Sequence, residues 1–309
     1  MARSASTSRS FLDAGVLSRL SKMAFEVNRP MLGSVTGIHR SATRGASVEF
    51  AEYRKYVPGD DPKHIDWQVY ARSDRFYIKE FEADTNLRAY LVLDASGSMA
   101  FDSGRGTRFD FARRLAAHLA YLMVRQGDAV GLHCCAENVA VDLPARQAPS
   151  HLHTCFDLLE RVEPKGESTL TDALHTLAER IQRRASVIVL TDAFMPAGEL
   201  LDAVQHLCFQ RHEVSLFHLL DPQETAFDFT RPVRFVDLEG GADLVADPSV
   251  MRQTYLDALE QHADTLRDGC RKFHVDYRRA RVDHEFESAL TAFLLEHANL
   301  FAGGGAARR

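Results

Sequence analysis

The stretch Leu91-Val92-Leu93-Asp94-Ala95-Ser96-Gly97-Ser98-Met99 decides how this chain reads. A short apolar run, the pattern of a strand buried on both faces, ends in Asp-x-Ser-x-Ser. That places one carboxylate and two hydroxyls on a tight turn at the carboxyl end of a strand. Oxygen-rich turns of this kind suit a hard divalent cation. No strong nucleophile or base lies beside them, so the stretch points to metal-dependent binding rather than catalysis.

Outward from this strand, from about Leu87 onwards, strands and helices alternate. A helix is expected from Phe109 to Gln126, then a strand from Ala129 to Cys134 with a hairpin partner from Asn138 to Asp142. Helices at about Ser150 to Val162 and Leu170 to Arg183 lead to a second fully apolar strand, Ser186 to Leu190. A helix from Ala197 to Gln210, a strand from Glu213 to Leu219 and a loop region with short strands at Val233 to Leu238 and Ala242 to Val245 follow. A helix from Ser249 to Asp268, a strand from Lys272 to Arg278 and a helix from Glu285 to Ala298 close the series. This is the pattern of an α/β fold with a doubly wound, mostly parallel sheet and helices on both faces.

In such a sheet ligands gather at the carboxyl ends of the strands. Three loops should meet there. One carries Asp94, Ser96 and Ser98, the second is Gly166-Glu167-Ser168-Thr169-Leu170-Thr171, and the third is Thr191-Asp192. Ser96, Ser98 and Thr169 are the expected hydroxyl ligands, with Thr171 the alternative in the second loop. Asp94 and Asp192 bind directly or orient metal-bound water. Neutral hydroxyls leave the ion under-neutralised, so it can accept a carboxylate from another protein.

The set Asp94, Ser96, Ser98, Thr169 and Asp192 resembles the metal-ion-dependent adhesion site of von Willebrand factor A domains. The resemblance implies Mg²⁺ or Mn²⁺ and an acidic side chain from a protein client. The second loop departs from the frequent Gly-Gly-Thr, reading Glu167-Ser168-Thr169 here.

Upstream, Arg54-Lys55-Tyr56-Val57-Pro58-Gly59-Asp60-Asp61-Pro62-Lys63-His64-Ile65-Asp66-Trp67, with Ala71-Arg72 after it, is far more specific. It resembles the signature of the DUF58 family, with Lys63 where that family more often has arginine. The resemblance runs from about Gly37 to the last helix. It implies a von Willebrand factor A-like chain, partner or adaptor of a MoxR-type AAA+ ATPase in the assembly or maturation of other proteins. Read physically, Pro58-Gly59-Asp60-Asp61 is a turn. Trp67, the one tryptophan, should anchor this module, and Arg54, Arg72 and Asp66 could form a buried ionic network.

The domain organisation follows. Residues 1–36 hold a Ser/Arg-rich disordered start and a helix from Phe11 to about Val27, capped by Ser10 and packed on the main domain. Residues 37–86 form a small β-rich subdomain, with strands at Val48 to Phe50 and Arg75 to Lys79. Residues 87–300 are the von Willebrand factor A-like domain, and 301–309 a flexible tail.

Composition narrows the function classes. The 309 residues are 45% hydrophobic and 26% charged, with a net charge of -6, which gives no reason to expect a nucleic-acid partner. No apolar run approaches the ~20 residues that span a bilayer, and the start lacks the apolar core of a secretory signal. The five cysteines contain no C-x-x-C pair and fit a reducing compartment. The expected location is the cytoplasm.

Weaker signals complete the reading. His151, His153 and Cys155 form H-x-H-x-C, a conceivable zinc half-site without an evident fourth ligand. Cys134-Cys135 reads as core, and His133 as a satisfied, partly buried histidine. Gly104-Arg105-Gly106-Thr107 lacks the Lys-Ser/Thr of a phosphate loop. The expected function is a non-enzymatic, Mg²⁺-dependent interaction module. The alternative is a metal-dependent, phosphatase-like hydrolase; against it, Ser96 stands where an aspartyl phosphatase wants its second Asp, and no histidine lies in the three loops.

Overall fold

The structure is a computed structural model that describes residues 9–20, 49–56, 67–73, 75–82, 87–137, 141–229, 231–241, 243–284 and 286–303. The expectations for the first eight residues, for the turn at 57–66 and for the last six residues lie outside these. The chain divides into two compact units, Glu26–Asn86 and the combination of Met1–Phe25 with Leu87–Arg309.

In chain order the described elements begin with α1 (Ala14–Leu20), β1 (Glu49–Lys55), α2 (Trp67–Ser73), β2 (Tyr77–Glu82) and β3 (Arg88–Asp94). After a 3₁₀ turn at Gly97–Ala100 come α3 (Arg108–Arg125), β4 (Ala129–Cys135), β5 (Val141–Arg146), α4 (Pro149–Arg161) and α5 (Leu170–Arg180). β6 (Ser186–Thr191), α6 (Ala197–Phe209), β7 (Glu213–Leu220), α7 (Pro222–Ala226), β8 (Val233–Phe235) and β9 (Leu244–Ala246) follow. The last elements are α8 (Pro248–Lys272), β10 (Asp276–Arg281) and α9 (Phe286–Gly303).

The smaller unit holds β1 paired antiparallel with β2. Between them α2 replaces the strands and turns expected there, since Trp67 to Ser73 contains no glycine or proline to break a helical turn. The ring of Tyr70 stacks on Phe76 at 4.4 Å. Trp67 lies edge-on to Tyr70 in its own helix. Arg72 is exposed, so no buried ionic network forms on it; Asp66 and the Arg54 side chain lie outside the described set.

In the larger unit six of the described strands form a sheet in the order β10-β7-β6-β3-β4-β5, and β8 pairs antiparallel with β9 in a separate ribbon. Within the sheet all pairs are parallel except β4 with β5. This is the doubly wound sheet the alternation implied. β4 and β6 are buried at every position, as is β3 from Leu91 to Asp94. Strands covered on both faces have no solvated side to alternate with, so they read as apolar runs. Each buried leucine or valine contributes about 1.5–3 kcal/mol.

One face is covered by α5, α6 and α8, whose Leu174, Leu177, Leu200, Val204 and Leu266 pack with Val92, Val187, Val189 and Leu216 of the strands. On α3, Phe109, Ala112, Leu115, Ala116, Leu119, Ala120 and Met123 recur at helical spacing and are all buried. Thr107 caps this helix by accepting the Asp110 N–H at 2.9 Å. α1 belongs to this unit. It begins at Ala14 under an Asp13 cap, whose Oδ1 accepts the N–H groups of Gly15 and Val16, rather than under Ser10. Phe11 and Val16 are buried, and Arg19 pairs with Glu287.

Other boundaries differ for local reasons. The hairpin partner is Val141–Arg146 and passes through Pro144, which an edge strand tolerates because it needs no N–H on its open side. α8 runs on to Lys272, where Arg271 and Lys272 suit the helix's negative end. His274 then takes a positive φ of 58°, so the last strand starts at Asp276 and not at Lys272. α7 lies in the expected loop region. Asp221 and Glu224 form a capping box around Pro222, a signal present in the sequence.

Candidate metal centre

The strand order reverses between β3 and β6, where a doubly wound sheet opens a crevice at its carboxyl edge. Asp94 is the last residue of β3 and Thr191 the last of β6. Leu93 and Leu190 are register partners, so the next residues on the two strands, Asp94 and Thr191, lie side by side. The Thr191 hydroxyl donates to Asp94 Oδ2 at 2.7 Å.

Backbone hydrogen bonds tie the first two loops together. The Gly97 N–H donates to Gly166 O at 2.8 Å, and the Lys165 N–H to Ala95 O at 2.9 Å. The Asp94 carboxylate turns its own loop by accepting the Ser96 N–H at 3.1 Å. The Ser96 and Ser98 hydroxyls lie 3.1 Å apart, and the Ser98 side chain favours the charged form of Asp192. Asp94, Ser96, Ser98 and Asp192 are all buried.

In the second loop the Ser168 hydroxyl reaches both carboxylate oxygens of Asp94 at 3.3 Å. Thr169 is the residue before α5 and is half-buried, and its side chain makes no capping bond. The structure therefore brings four of the five expected residues into one bonded cluster and leaves Thr169 beside it.

Arg108, the first residue of α3, was not legible as part of this site. Its guanidinium, 5% exposed, donates to Ser98 O at 2.7 Å and to Asp192 Oδ2 at 3.2 Å, and it pairs with Glu224 of α7. Thr191 and Ser168 lie within the three loops, but their roles depend on which way each side chain faces. Strand parity could have found Thr191; nothing in the sequence marks Arg108.

Electrostatics give a test of whether a cation fits. Burial, and then the neighbouring Asp192, push the Asp94 carboxyl up to about 7. Burial also raises Asp192, opposed by Arg108. Asp192 thus has a cationic partner, whereas the bonds Asp94 accepts come from hydroxyls and a backbone N–H. Two buried carboxylates and a set of hydroxyls, all oxygen donors, fit a hard divalent ion such as Mg²⁺ or Mn²⁺.

The remaining candidates resolve into structural roles. His151 is buried and its Nε2 lies 2.7 Å from Val130 O, Cys155 is buried with its thiol pushed up to about 12, and His153 is exposed. This corrects the zinc reading. Among the described residues no three His, Cys, Asp or Glu side chains gather to hold a metal. All five cysteines are free, and Cys134 and Cys135 are core. His133 Nδ1 stands 3.4 Å from Asp142, but its Nε2 is buried without a partner, so it is only half satisfied. At 104–106 the three N–H groups all donate to Asp102 Oδ1, which occupies the place a phosphate would take.

Comparison with known proteins agrees with the signature read upstream. The chain is 27% identical over 267 residues to the uncharacterized protein Rv1480 of Mycobacterium tuberculosis (strain ATCC 25618 / H37Rv), spanning 84% of this chain and 83% of that protein. Among solved structures it is similar to the conserved hypothetical protein BatB from Bacteroides thetaiotaomicron, with 19% identity, 71% of this chain and 100% of the other covered, and a TM-score of 0.48. It is also similar to an aerotolerance-related membrane protein from Bacteroides fragilis, with 21% identity, coverage of 69% and 100%, and a TM-score of 0.46. The model of the family described as "Protein of unknown function DUF58" matches residues 52–265, well over half of the chain. The chain belongs to the DUF58 family.

Proposed function

We propose that this chain is a non-enzymatic, Mg²⁺- or Mn²⁺-dependent protein-interaction module that accepts an acidic side chain from a client protein. We place it as partner or adaptor of a MoxR-type AAA+ ATPase in assembly or maturation of other proteins, in the cytoplasm. The observation that carries the metal reading is the buried oxygen cluster of Asp94, Ser96, Ser98 and Asp192 at the point where the strand order reverses. The ATPase partner rests on the family resemblance, and the location on the cysteine pattern and the start of the sequence. Among the described residues no helix is long and apolar enough to cross a membrane.

A bound divalent ion would supply the positive charge with which an incoming carboxylate pairs. The rest is done by this chain's side chains. Asp94 and Asp192 provide the negative charge that holds such an ion, and Ser96 and Ser98 add neutral oxygens that leave it cationic. Thr191 and Ser168 fix the orientation of Asp94. Arg108 offsets part of the charge of Asp192 and ties it to the Ser98 carbonyl. In the three loops no histidine stands as general base, which favours docking over hydrolysis.

The test is a thermal shift with and without Mg²⁺, paired with capture from the native host in Mg²⁺ or EDTA. At 100 times its Kd the ion should stabilise the fold by about 2.7 kcal/mol. Asp94→Ala should remove the shift and the EDTA-sensitive recovery of an AAA+ ATPase. No shift in the wild-type chain would sink the metal reading, and metal-dependent turnover of a phosphoester, lost in Asp94→Ala, would replace it with the hydrolase.

A further inference from the structure

The loop between β8 and β9 lies directly on the metal-site turn. Leu238 O comes so near Gly97 that a Cβ built there would stand 2.1 Å from it. The next residue is Glu239, whose Oε1 is buried and has no hydrogen-bond partner. Its charge reaches the cluster: burial is the main reason the Asp192 carboxyl is raised, and Glu239 adds to it against Arg108, Ser98 and the Phe194 N–H. A carboxyl oxygen withdrawn from water without a partner is costly, and a cation held at the cluster would supply one.

The loop is shaped to hold the carboxylate there. The Glu239 N–H donates to Asp237 Oδ1 at 2.7 Å. Gly240 takes a φ of +98°, in the region that favours glycine, and at Gly241 a Cβ would meet Asp237 Oδ2 at 2.1 Å. Glu239 acts on Asp192 through its charge, but among the described residues no three carboxylates are gathered to hold a metal. Closing on an ion therefore requires a shift of this glycine-containing loop.

We propose that Glu239 is the chain's own acidic ligand for the metal centre, holding the position a client's carboxylate needs until the client displaces the 237–241 loop. This rests on the metal reading of the site given above. It assigns the β8–β9 loop a competitive role, so that client binding depends on loop release as well as on metal.

The experiment uses the purified full chain, Glu239→Gln and Glu239→Ala, with Asp94→Ala as control. Mg²⁺ affinity is read by calorimetry, ion hydration by water-proton relaxation with Mn²⁺, and client access with the peptide acetyl-Gly-Asp-Gly-amide. Both Glu239 variants should bind Mg²⁺ about tenfold more weakly, show higher Mn²⁺ relaxivity as water replaces the carboxylate, and bind the peptide more tightly than wild type does. Unchanged metal affinity and relaxivity in both variants, with binding abolished in Asp94→Ala, would overturn the role of Glu239 and leave the metal centre standing. Peptide affinity that does not rise would overturn it too. A wild-type chain that binds neither Mg²⁺ nor Mn²⁺ would overturn both readings.

Discussion

Arg108 and Asp192 form an ion pair at 3.2 Å whose side chains are only 5% and 4% exposed. The arginine enters from the first turn of α3 and the aspartate from the loop after β6, so the contact spans the crevice where the strand order reverses. It places a fixed positive charge against one site carboxylate and leaves the other, Asp94, to hydroxyls and a backbone N–H.

Breaking that pair should be costly. Arg108→Met leaves Asp192 buried without its cation and removes the ion-pair partner of Glu224, with an expected loss of about 3–5 kcal/mol. Urea unfolding in EDTA measures it. Adding Asp192→Asn to Arg108→Met should recover part of the loss, because no uncompensated charge then remains at that position.

Asp94→Asn should respond to metal in the opposite sense from wild type. The asparagine keeps its oxygen for the Ser96 N–H, can donate its amide N–H to the Thr191 hydroxyl oxygen, and removes a buried charge. In EDTA the variant should match or exceed wild-type stability; in saturating Mg²⁺ it should fall below it. Thermal melts in the two buffers give both comparisons, and an unchanged ranking would count against Asp94 as the charge that holds the ion.

His212 gives a pH dependence away from the metal centre. It is 6% exposed, its Nδ1 accepts the Ala185 N–H at 3.2 Å, and its Nε2 is buried without a partner. Burial first, and Arg184 second, lower its pKa from 6.5 to about 4. The unfolded chain takes up a proton below 6.5 that the folded chain refuses until about 4. The stability present above 6.5 is therefore lost as pH falls through this window, at no more than about 1.4 kcal/mol per unit from this residue. His212→Gln should flatten the decline in urea midpoints measured from pH 7 to pH 4.5.

Two glycines should respond oppositely to alanine. At Gly97 the added Cβ would meet Leu238 O at 2.1 Å, forcing the 237–241 loop off the site at a cost of about 1–3 kcal/mol. At Gly198, in the first turn of α6, nothing lies within 4 Å, and alanine should add about 0.5–1 kcal/mol of stability. Chemical denaturation of the two variants checks both signs.

Much of the framework was legible along the chain. Leu91-Val92-Leu93 and Ser186 to Leu190 read as doubly covered strands because such strands show no polar alternation. Their ends place Asp94 and Asp192 at one edge, and the signature from Arg54 to Trp67 belongs to the family that the family model confirms. α2 was not legible there, and the last strand starts at Asp276, four residues beyond the expected Lys272. Short-range signals compete there, and tertiary pairing of β10 with β7 selects the register.

The residues that complete the candidate site divide along the same line. Asp94, Ser96 and Ser98 come from a local turn, whose spacing along the chain is enough to bring their oxygens together. Ser168 on Asp94, Arg108 on Asp192 and the charge of Glu239 acting on Asp192 depend on elements far apart in sequence. Their approach is set by how α3, α5 and the β8–β9 loop pack at the sheet's edge. Periodicity records which residues are buried together, because burial repeats with the geometry of each element. It carries no record of which charged side chain from another element will face a given carboxylate, since that contact is fixed by packing between elements.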